Sequence, residues 1–561
     1  MYKYSYQKLH ELICTENGKE FFNRVKQSYK QNYLDNAPKT LTYALFKDYY
    51  RTGNRSFFQA EYFDKRKRLM LLQILALGSD EYLEDLEQVI FEICNEFTWV
   101  IPAHNFRKDT NTFDYGKIDL FSAETAFYLA ETAFVFKDKL SKDILDRIQI
   151  SLKDKIVDRY EKHALEEGYF FFDKTYNNWA AVCSCSIALT YLYAFPERFE
   201  SIKERIFAGL NRYIEGLSED GYCGEGFGYW AYGFGFFCIF HDAYASFTGE
   251  KIELLKDEKI QKILSYGTIS QIGKNRYLPF ADGGTVGEHE PSFLVCTIEQ
   301  IFNRKINAST DYPLPNTKAL GFRALYSITS QTEMVEKKAP DFFYFNSSQV
   351  YINKKKNYSF VAKGGNNAES HNHNDVGVFQ IVKNGELVIA DLGVGEYTKN
   401  YFGNKSEESG GRYSKEVFVC SSLSHSVPIV NGDTQKPGRD YFAFVLECNE
   451  NTFKLDIKKA YAQEIEKLDL SYTILEDKVV VNYIAKGLKD FIVRFVSVSE
   501  PKVCDDYTEI NGSKLVSLSG LKPTVTKVGY NNQQSQRVYA YTIDYQISNP
   551  ENVDQTFEII V

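Results

Sequence analysis

Several residue types and patterns are scarce in this chain of 561 residues. It has eight histidines, three tryptophans and three methionines, and none of its ten cysteines forms a C-x-x-C pair. The missing pair argues against a zinc-ribbon or thioredoxin-type site. The cysteines lie mostly within apolar runs, which is typical of buried thiols in a reducing compartment. No apolar run reaches 18 residues, so neither a membrane-spanning helix nor a membrane partner is predicted.

Positive charge is also scarce. The chain has 66 Lys and Arg residues against 75 Asp and Glu residues, which gives a net charge of −9. A nucleic-acid-binding protein is expected to carry a broad basic face, so that class is disfavoured, whereas an anionic substrate met locally by a few cations is compatible. Residues 1–8 lack the apolar core of a signal peptide, which predicts a cytoplasmic protein. A signal removed from the chain would leave the same appearance in a periplasmic or secreted protein, and the oligomeric state is not indicated.

The first 300 or so residues show the periodicity of serial helices. Two or more domains are expected at this length. Ile144, Ile148, Leu152 and Ile156 recur every four positions, with polar residues between them, as in an amphipathic helix. Similar patterns cover residues 61–78, 81–98, 118–137, 178–195, 200–217 and 231–247. Short connections between such helices indicate antiparallel packing of neighbours.

The pattern becomes strand-like after about residue 340. Asn384 and Gly385 lie between two apolar runs, which predicts a β-hairpin. Residues 479–484 and 491–498 are rich in β-branched and aromatic side chains. The sequence therefore predicts a helical domain over residues 1–325 and an antiparallel β-sandwich over residues 326–561.

The scarce histidines concentrate in the predicted β domain, where three of the eight lie between residues 371 and 425. His371 and His373 are two apart, so they share a face if the segment is a strand. A metal held by His373, Asp391 and His425 would tie three segments together, and this ligand set suits Zn²⁺, with Mn²⁺ as the other candidate. Alternatively, the three are polar residues at loop ends that hydrogen-bond to one another. His371 would then be a spare histidine and a candidate proton-transfer group.

In the helical half, the first candidate segment is Asn177-Asn178-Trp179, at the start of a predicted helix. Either asparagine could simply cap the helix. The same residues also offer amide donors and a stacking ring at the positive end of a helix dipole, which suits a sugar carboxylate.

The second candidate segment is residues 220–234, which contains four glycines between 221 and 228. Tyr229 and Tyr232 share a face if the segment is helical. A tyrosine can act as general acid or base when its surroundings lower its pKa. With 41 tyrosines in the chain, a core or surface position is the alternative interpretation of each.

Taken together, these blocks resemble the heparinase II/III-like polysaccharide lyases. The matching blocks, in the same order as in that family, are residues 177–179, 225–234, 370–377, 391–395 and 424–425. The resemblance implies an (α/α) toroid of helical hairpins followed by an antiparallel β-sandwich, with the active site in the cleft between them. It also implies a carbon–oxygen lyase that cleaves uronic-acid polysaccharides by β-elimination and leaves 4,5-unsaturated uronate ends.

The resemblance assigns roles to particular residues. Asn178 is expected to neutralise the uronate carboxylate. Tyr232 is expected to protonate the departing oxygen, and to act as base as well on one epimer, with Tyr229 as the alternative tyrosine. His371 is the expected base on the other epimer. The residues expected to bind substrate are Asn177, Trp179, His104, Arg107, Glu225, Tyr229, Trp230, Arg412 and Tyr413.

The resemblance also implies that the metal held by His373, Asp391 and His425 is structural and fixes the loop that presents His371. The expected substrates are glycosaminoglycans, namely hyaluronan, chondroitin sulfate, heparan sulfate or heparin. Alginate or another polyuronate is the alternative, and a non-catalytic carbohydrate-binding protein is a third interpretation. Sulfate recognition would need additional cations, for which Arg412, Arg107 and Arg439 are the candidates.

Overall fold

The computed structural model describes residues 4–34, 36, 38–105, 113–166, 170–250, 256–284, 286–289, 292–306, 321–329, 334–336, 338–402, 412–413 and 415–561. The chain forms two compact units. The first comprises Met1–Leu217, Trp230–Ile260 and Glu290–Lys337, and the second comprises Ser218–Tyr229, Gln261–His289 and Lys338–Val561. This division is not contiguous, unlike the predicted one at residues 325 and 326, because two segments of the predicted helical part pack within the β-rich unit.

Most of the first unit is helical. The α-helices of the described chain are α1 Tyr6–Ile13, α2 Glu16–Tyr33, α3 Tyr43–Thr52, α4 Ser56–Gly78, α5 Leu83–Cys94, α6 Pro102–Asn105, α7 Leu120–Val135, α8 Lys142–Leu152, α9 Asp158–Glu166, α10 Asn178–Ala194, α11 Lys203–Gly216, α12 Phe227–Thr248, α13 Glu258–Ile269, α14 Phe293–Phe302 and α15 Gly321–Thr329. A π-helical turn, Lys153–Val157, joins α8 to α9. The helices predicted from periodicity are all present, with ends displaced by a few residues.

Local sequence explains where the principal helices begin. Asp119 and Ser122 form a reciprocal capping box at the start of α7. The side chain of Asn177 accepts a hydrogen bond of 3.2 Å from the Trp179 backbone N–H at the start of α10. Helices α7 and α10 pack against each other and are buried on nearly all sides, so they form the centre of the first unit rather than its surface.

The second unit is built mainly from antiparallel strands. The strands of the described chain are β1 Gln271–Gly273, β2 Arg276–Tyr277, β3 Arg304–Lys305, β4 Val335–Glu336, β5 Phe342–Phe345, β6 Val350–Lys354, β7 Tyr358–Lys363, β8 Asn366–Asn367, β9 Phe379–Lys383, β10 Glu386–Ile389, β11 Ile429–Val430, β12 Gly438–Phe442, β13 Phe444–Asn449, β14 Thr452–Asp456, β15 Lys467–Ile474, β16 Lys478–Lys486, β17 Phe491–Ser497, β18 Lys502–Val503, β19 Thr508–Ile510, β20 Ser513–Ser517, β21 Thr524–Asn531, β22 Arg537–Gln546 and β23 Asn552–Ile560. Strands β3 and β4 belong to the first unit, where they pair in parallel.

Three larger sheets share one hydrophobic core. Their strand orders are β10-β9-β7-β6-β5, β11-β17-β22-β21 and β13-β14-β15-β16-β23-β20-β19-β18. Along β16, buried and partly exposed residues alternate, as expected when one face of a sheet is covered. Aromatic rings join the sheets across the core. Phe360 of β7 lies 5.2 Å from Tyr472 of β15, and Phe495 of β17 lies 5.2 Å from Phe557 of β23, measured between ring centroids.

The predicted hairpin at Asn384-Gly385 is confirmed. Strands β9 and β10 pair antiparallel, with Lys383 opposite Glu386. Asn384 and Gly385 have φ angles of 50° and 88°, which are the values that a two-residue type I′ turn needs.

Two further predictions concern cysteines and membranes. All ten cysteines lie in the described chain as free thiols, and seven of them are buried. Among the described residues, no helix combines the length and the apolar character needed to cross a bilayer.

Candidate functional site

The loop between β7 and β9 carries the predicted base and one predicted metal ligand. Lys363, at the end of β7, holds this loop in place through its buried ammonium group. Its ammonium lies 3.1 Å from Asp375 Oδ1 and 3.2 Å from Glu369 Oε2, and the lysine is completely buried. Burial alone would lower the pKa of Lys363, but the two carboxylates raise it above its usual value. The loop is therefore anchored on both sides of His371 by one buried cation.

Replacing this cation should destabilise the second unit. We expect Lys363→Met to lower the free energy of unfolding by about 3–5 kcal/mol, because it leaves the buried Asp375 carboxylate and the half-buried Glu369 carboxylate without their counter-charge. Lys355→Met is the matched control, since Lys355 pairs at 3.5 Å with the largely exposed Glu476 and should contribute about 1 kcal/mol or less. Chemical denaturation of both variants measures the difference. Equal losses in the two variants would show that the buried cation does not anchor the loop.

His371 lies at the tip of this loop in an unusual backbone conformation. Its φ angle is 56°, in the left-handed region that non-glycine residues seldom adopt and that often marks a functional position. Arg412 Nη2 donates to the His371 carbonyl at 2.8 Å. The imidazole Nδ1 hydrogen-bonds to Asp282, and Nε2 lies 3.5 Å from Glu225 Oε1. The His371 side chain remains 17% exposed.

Asp282 lies at the centre of this part of the second unit. Its carboxylate accepts hydrogen bonds from His371 Nδ1, His373 Nε2, Tyr397 Oη, Tyr401 Oη and Arg412 Nη2. Burial would raise the pKa of Asp282, but Arg412 and His371 hold it well below its usual range. The side chain is therefore a buried, ionised acceptor shared by five donors.

Tyr229 lies next to the imidazole of His371. The two ring centroids are 4.4 Å apart and the planes are inclined by 30°. The Tyr229 hydroxyl is 2.6 Å from the Tyr397 hydroxyl, which donates to Asp282 Oδ2 at 3.0 Å. Because Tyr397 already gives its proton to Asp282, Tyr229 is the donor between the two hydroxyls. Tyr229, Tyr397, Asp282 and His371 thus form one hydrogen-bonded chain.

The three predicted metal ligands converge in the second unit. His373, Asp391 and His425 are completely buried, and each offers a ligand atom within 4.8 Å of the other two. His425 Nδ1 lies 3.3 Å from Asp391 Oδ2. Among the described residues, His373 Nδ1, Asp391 Oδ2 and His425 Nδ1 have no hydrogen-bond partner. Three buried polar atoms without partners, facing one another, are what a bound cation would satisfy.

The other nitrogen of each histidine is already engaged. His373 Nε2 bonds to Asp282 Oδ1 at 3.1 Å, and His425 Nε2 bonds to the Val419 carbonyl at 3.0 Å. In the neutral form of each ring the one N–H is on Nε2, so Nδ1 carries the lone pair that metal ligation requires. Burial would lower the pKa of His373, but Cys420 and Asp282 raise it to about 10. A cation bound at Nδ1 would therefore replace a proton that the ring holds below this pKa.

A second group of potential ligands shares His373 and consists of Asp282, His373 and Cys420. It fits a cation less well than the first group. Five N–H and O–H donors already occupy the Asp282 carboxylate, and one of them is the Arg412 guanidinium, which would repel a metal ion. The donor set of His373, Asp391 and His425 suits Zn²⁺, while the identity of the metal stays a prediction.

In the first unit, the structure brings His104 and Trp179 together. Their ring centroids are 4.9 Å apart. His104 Nδ1 lies 2.9 Å from Asp119 Oδ2, and burial lowers the pKa of His104 despite this carboxylate. Asn177 serves as the cap of α10, and Asn178 follows it as a buried residue in the first turn. Arg107 lies outside the described residues.

Tyr232 and Trp230 differ from their neighbour Tyr229. Tyr232 is only 3% exposed, and its hydroxyl donates to the buried carboxylate of Glu124, which also accepts from Tyr128 at 2.8 Å. Trp230 is completely buried. These surroundings are typical of core residues of the first unit, whereas Tyr229 is half-buried.

Arg412 and Tyr413, predicted to contact substrate, are buried in the second unit. Besides Asp282, the Arg412 guanidinium donates to the carbonyls of His371 and Asn372 at 2.8 Å and 3.0 Å. Tyr413 belongs to a small hydrophobic cluster. Arg412 thus holds the His371 loop through internal bonds. Glu225, by contrast, accepts from Ser370 Oγ at 2.9 Å beside His371.

Four residues of this site were not among the sequence predictions: Asp282, Tyr397, Tyr401 and Cys420. An acidic residue followed by Gly283 and Gly284 was the one available signal, since a glycine pair allows close approach of another segment. That approach occurs, because the N–H of Val394 donates to the Gly284 carbonyl at 3.3 Å. A Cβ atom on Gly393, where φ is 59°, would lie 1.8 Å from the same oxygen.

No protein-family model and no curated protein match the sequence. Solved structures do match. A heparinase III structure aligns with a TM-score of 0.60 and 14% identity, over 90% of this chain and 78% of that one. Chondroitin AC lyase of Streptomyces coelicolor A3 in complex with chondroitin sulphate aligns with a TM-score of 0.56 and 11% identity, over 99% of this chain and 82% of that one. A mutant of heparan sulfate lyase HepC from Pedobacter heparinus aligns with a TM-score of 0.51 and 13% identity, over 90% and 77%.

At these identities the likeness concerns the fold. The predicted fold class, an (α/α) toroid of helical hairpins followed by an antiparallel β-sandwich, is confirmed by the order of helices and sheets and by these neighbours. The chain therefore has the fold of the heparinase III and chondroitin AC lyase structures, as its resemblance to the heparinase II/III-like lyases predicts.

Proposed function

We propose that the protein is a polysaccharide lyase that cleaves uronic-acid polysaccharides by β-elimination. The observation that carries the proposal is the pairing of His371 with Tyr229. The imidazole is partly exposed and its Nδ1 is bound to Asp282, while the Tyr229 ring lies 4.4 Å away with its hydroxyl in the same hydrogen-bonded chain. A base and a proton donor side by side are what an elimination requires.

The reaction begins at a weakly acidic C5 proton, so the neighbouring carboxylate must first be neutralised. The proposed group is the side-chain amide of Asn178, at the positive end of the α10 dipole, with Asn177 and His104 as further contacts. His371 Nε2 then takes the C5 proton. The electron pair forms the C4–C5 double bond, and the C4–O4 bond breaks. Each of these groups should contribute on the order of a hundredfold or more in rate.

Tyr229 is the proposed acid that protonates the departing O4 oxygen, and on the other epimer it would also act as base. Tyr232, the residue implied by the resemblance, is replaced in this role because its hydroxyl is committed to the buried Glu124 carboxylate. Tyr229 is half-buried beside the base. Substitution of Tyr229 and substitution of Tyr232 should therefore have different effects on the rate.

The metal has a supporting part in this proposal. His373, Asp391 and His425 would hold a divalent cation, which would supply a fixed positive charge that satisfies three buried ligand atoms. The chain itself holds His371 in place through Arg412 and Asp282. No step of the elimination involves the cation directly.

Glycosaminoglycans are the first candidate substrates and alginate or another polyuronate is the second, and one observation favours the members of both classes that carry no sulfate. Of the three cations considered for sulfate recognition, Arg412 is buried and donates to Asp282 and to backbone carbonyls. An internal guanidinium of this kind has little capacity left for a sulfate group. Substrates without sulfate, including hyaluronan and alginate, are therefore favoured within the uronic-acid class.

A substrate panel tests the proposal. We expect ultraviolet absorbance from a new C4–C5 double bond on at least one of hyaluronan, chondroitin sulfates, heparan sulfate, heparin and alginate. A chelator should lower this activity together with the melting temperature, because His373, one of the proposed metal ligands, lies in the same loop as His371. Binding to these polymers without any absorbance change would instead support a non-catalytic carbohydrate-binding protein, and activity limited to sulfated chains would contradict the substrate preference.

A further inference from the structure

Asp282 lies in a loop after β2 and belongs to none of the sequence blocks discussed above. Its carboxylate is completely buried and connects three separate segments of the second unit, namely the His371 loop, residues 397–401 and Arg412. Such a shared acceptor can determine where protons lie on the side chains around it.

The geometry assigns a proton to each neighbour. Oδ1 accepts from His373 Nε2 at 3.1 Å, and Oδ2 accepts from His371 Nδ1. Arg412 Nη2 lies 3.2 Å and 3.3 Å from the two oxygens. A carboxylate beside this guanidinium is an acceptor only, so each imidazole must direct an N–H at it.

With one N–H of each imidazole directed at Asp282, the other nitrogen of a neutral ring carries the lone pair. In His371 the lone pair is on Nε2, the atom proposed to take the C5 proton. In the neutral form of His373, which metal ligation requires, the lone pair is on Nδ1, the buried atom that faces Asp391 and His425. We infer that Asp282 is a positioning residue that sets the tautomers of the metal-ligand histidine and of the base at the same time. For the base, this inference rests on the proposed function.

The same carboxylate also reaches the proposed acid. Tyr397 donates to Asp282 Oδ2 at 3.0 Å and therefore accepts from Tyr229, 2.6 Å away. Asp282 thus orients the Tyr229 hydroxyl through one intervening residue. Metal ligand, base and acid are coupled through one aspartate that itself touches no substrate.

Asp282→Asn tests the inference, because it keeps the shape of the side chain and turns one acceptor oxygen into a donor. With Co²⁺ as the probe metal and absorption as the readout, we expect the affinity of the metal-free protein to fall about 10–100-fold. kcat should fall as well, with little change in KM. The matched control is Asp220→Asn, since Asp220 is a carboxylate of the same unit that accepts from Ser347 at 3.0 Å and 2.7 Å. This control should keep the affinity and the rate of the unmodified protein.

A second measurement serves if Asp282→Asn does not fold. With ¹⁵N-labelled histidine, the eight histidines of the unmodified protein can be observed directly, and His371→Ala identifies the His371 signals. In the protein loaded with Zn²⁺, we expect a proton on Nδ1 of His371, and a proton on Nε2 of His373. The opposite tautomers would overturn the inference.

The inference and the proposed function fail in different ways. Unchanged Co²⁺ affinity in Asp282→Asn, or no Co²⁺ binding by the unmodified protein, would overturn the role of Asp282 in coupling the metal site. Weakened Co²⁺ binding in a protein that cleaves none of the uronic-acid polymers would uphold that role at the metal site and would overturn the proposed function.

Discussion

His371→Ala is expected to lower kcat on the preferred substrate by about 10²–10⁴-fold while the protein stays folded and retains the proposed metal. The loss follows from removing the base nitrogen, since general base catalysis contributes an effect of this size. The fold should survive because the His371 side chain is partly exposed and the loop is held independently. Arg412 donates to the His371 carbonyl rather than to the ring, and Lys363 anchors both flanks of the loop.

Steady-state kinetics, a thermal melt and the metal content of the purified protein test this expectation. His10→Ala is a suitable control, because His10 bonds to the Leu77 carbonyl at 2.7 Å within the first unit and is outside the proposed machinery. A His371→Ala protein with kcat within about threefold of the original would remove His371 from the mechanism. A melting temperature lowered as far as by chelation would instead assign His371 a structural role.

The paired variants Tyr229→Phe and Tyr232→Phe should behave in opposite ways. Tyr229→Phe keeps the ring beside His371 but removes the proton donor, so kcat should fall about a hundredfold or more with little loss of stability. Tyr232→Phe removes a donor from the buried Glu124 carboxylate, which retains Tyr128. Its expected effect is a loss of about 1–3 kcal/mol in the free energy of unfolding at an unchanged rate.

Rates and unfolding curves measured on the same two preparations separate the roles. The two variants are matched controls for each other, because each removes one hydroxyl group from the same helix, α12. If Tyr232→Phe lost its activity and Tyr229→Phe kept it, the acid would be Tyr232, as the resemblance alone implies. Loss of activity in both would indicate that the two hydroxyls act at successive steps.

Much of the fold could be predicted from local pattern. Helical periodicity located the helices of the first unit within a few residues, and the Asn384-Gly385 signal located a hairpin, because both depend on neighbours in sequence. The cluster of candidate metal ligands could also be predicted, since histidines are few and three of them lie close together in the chain, and the binding of a metal there stays a prediction. Their convergence around three unpaired ligand atoms, however, is visible only in the structure.

The remaining features of the candidate site depend on tertiary contacts, which the sequence does not reveal. The role of Asp282 could not be predicted, because all five of its donors are distant in sequence and the glycine pair that follows it indicates only a close approach of another segment. The choice between Tyr229 and Tyr232 depended on where α12 begins and on what each side of its first turn meets. Arg412 was expected to contact substrate, yet its guanidinium is buried, because Asp282 supplies an internal counter-charge.

The sequence separations within the Asp282 cluster have a consequence for how the protein folds. His371 and Asp282 are 89 residues apart, Arg412 and Asp282 are 130 apart, and Tyr229 and Tyr397 are 168 apart. Closing loops of this length costs entropy before any contact stabilises them, whereas local hairpins such as β9–β10 close early. The cluster should therefore be among the last parts of the second unit to assemble. A chain released from the ribosome would form its β-sheets before the side chains around Asp282 come together.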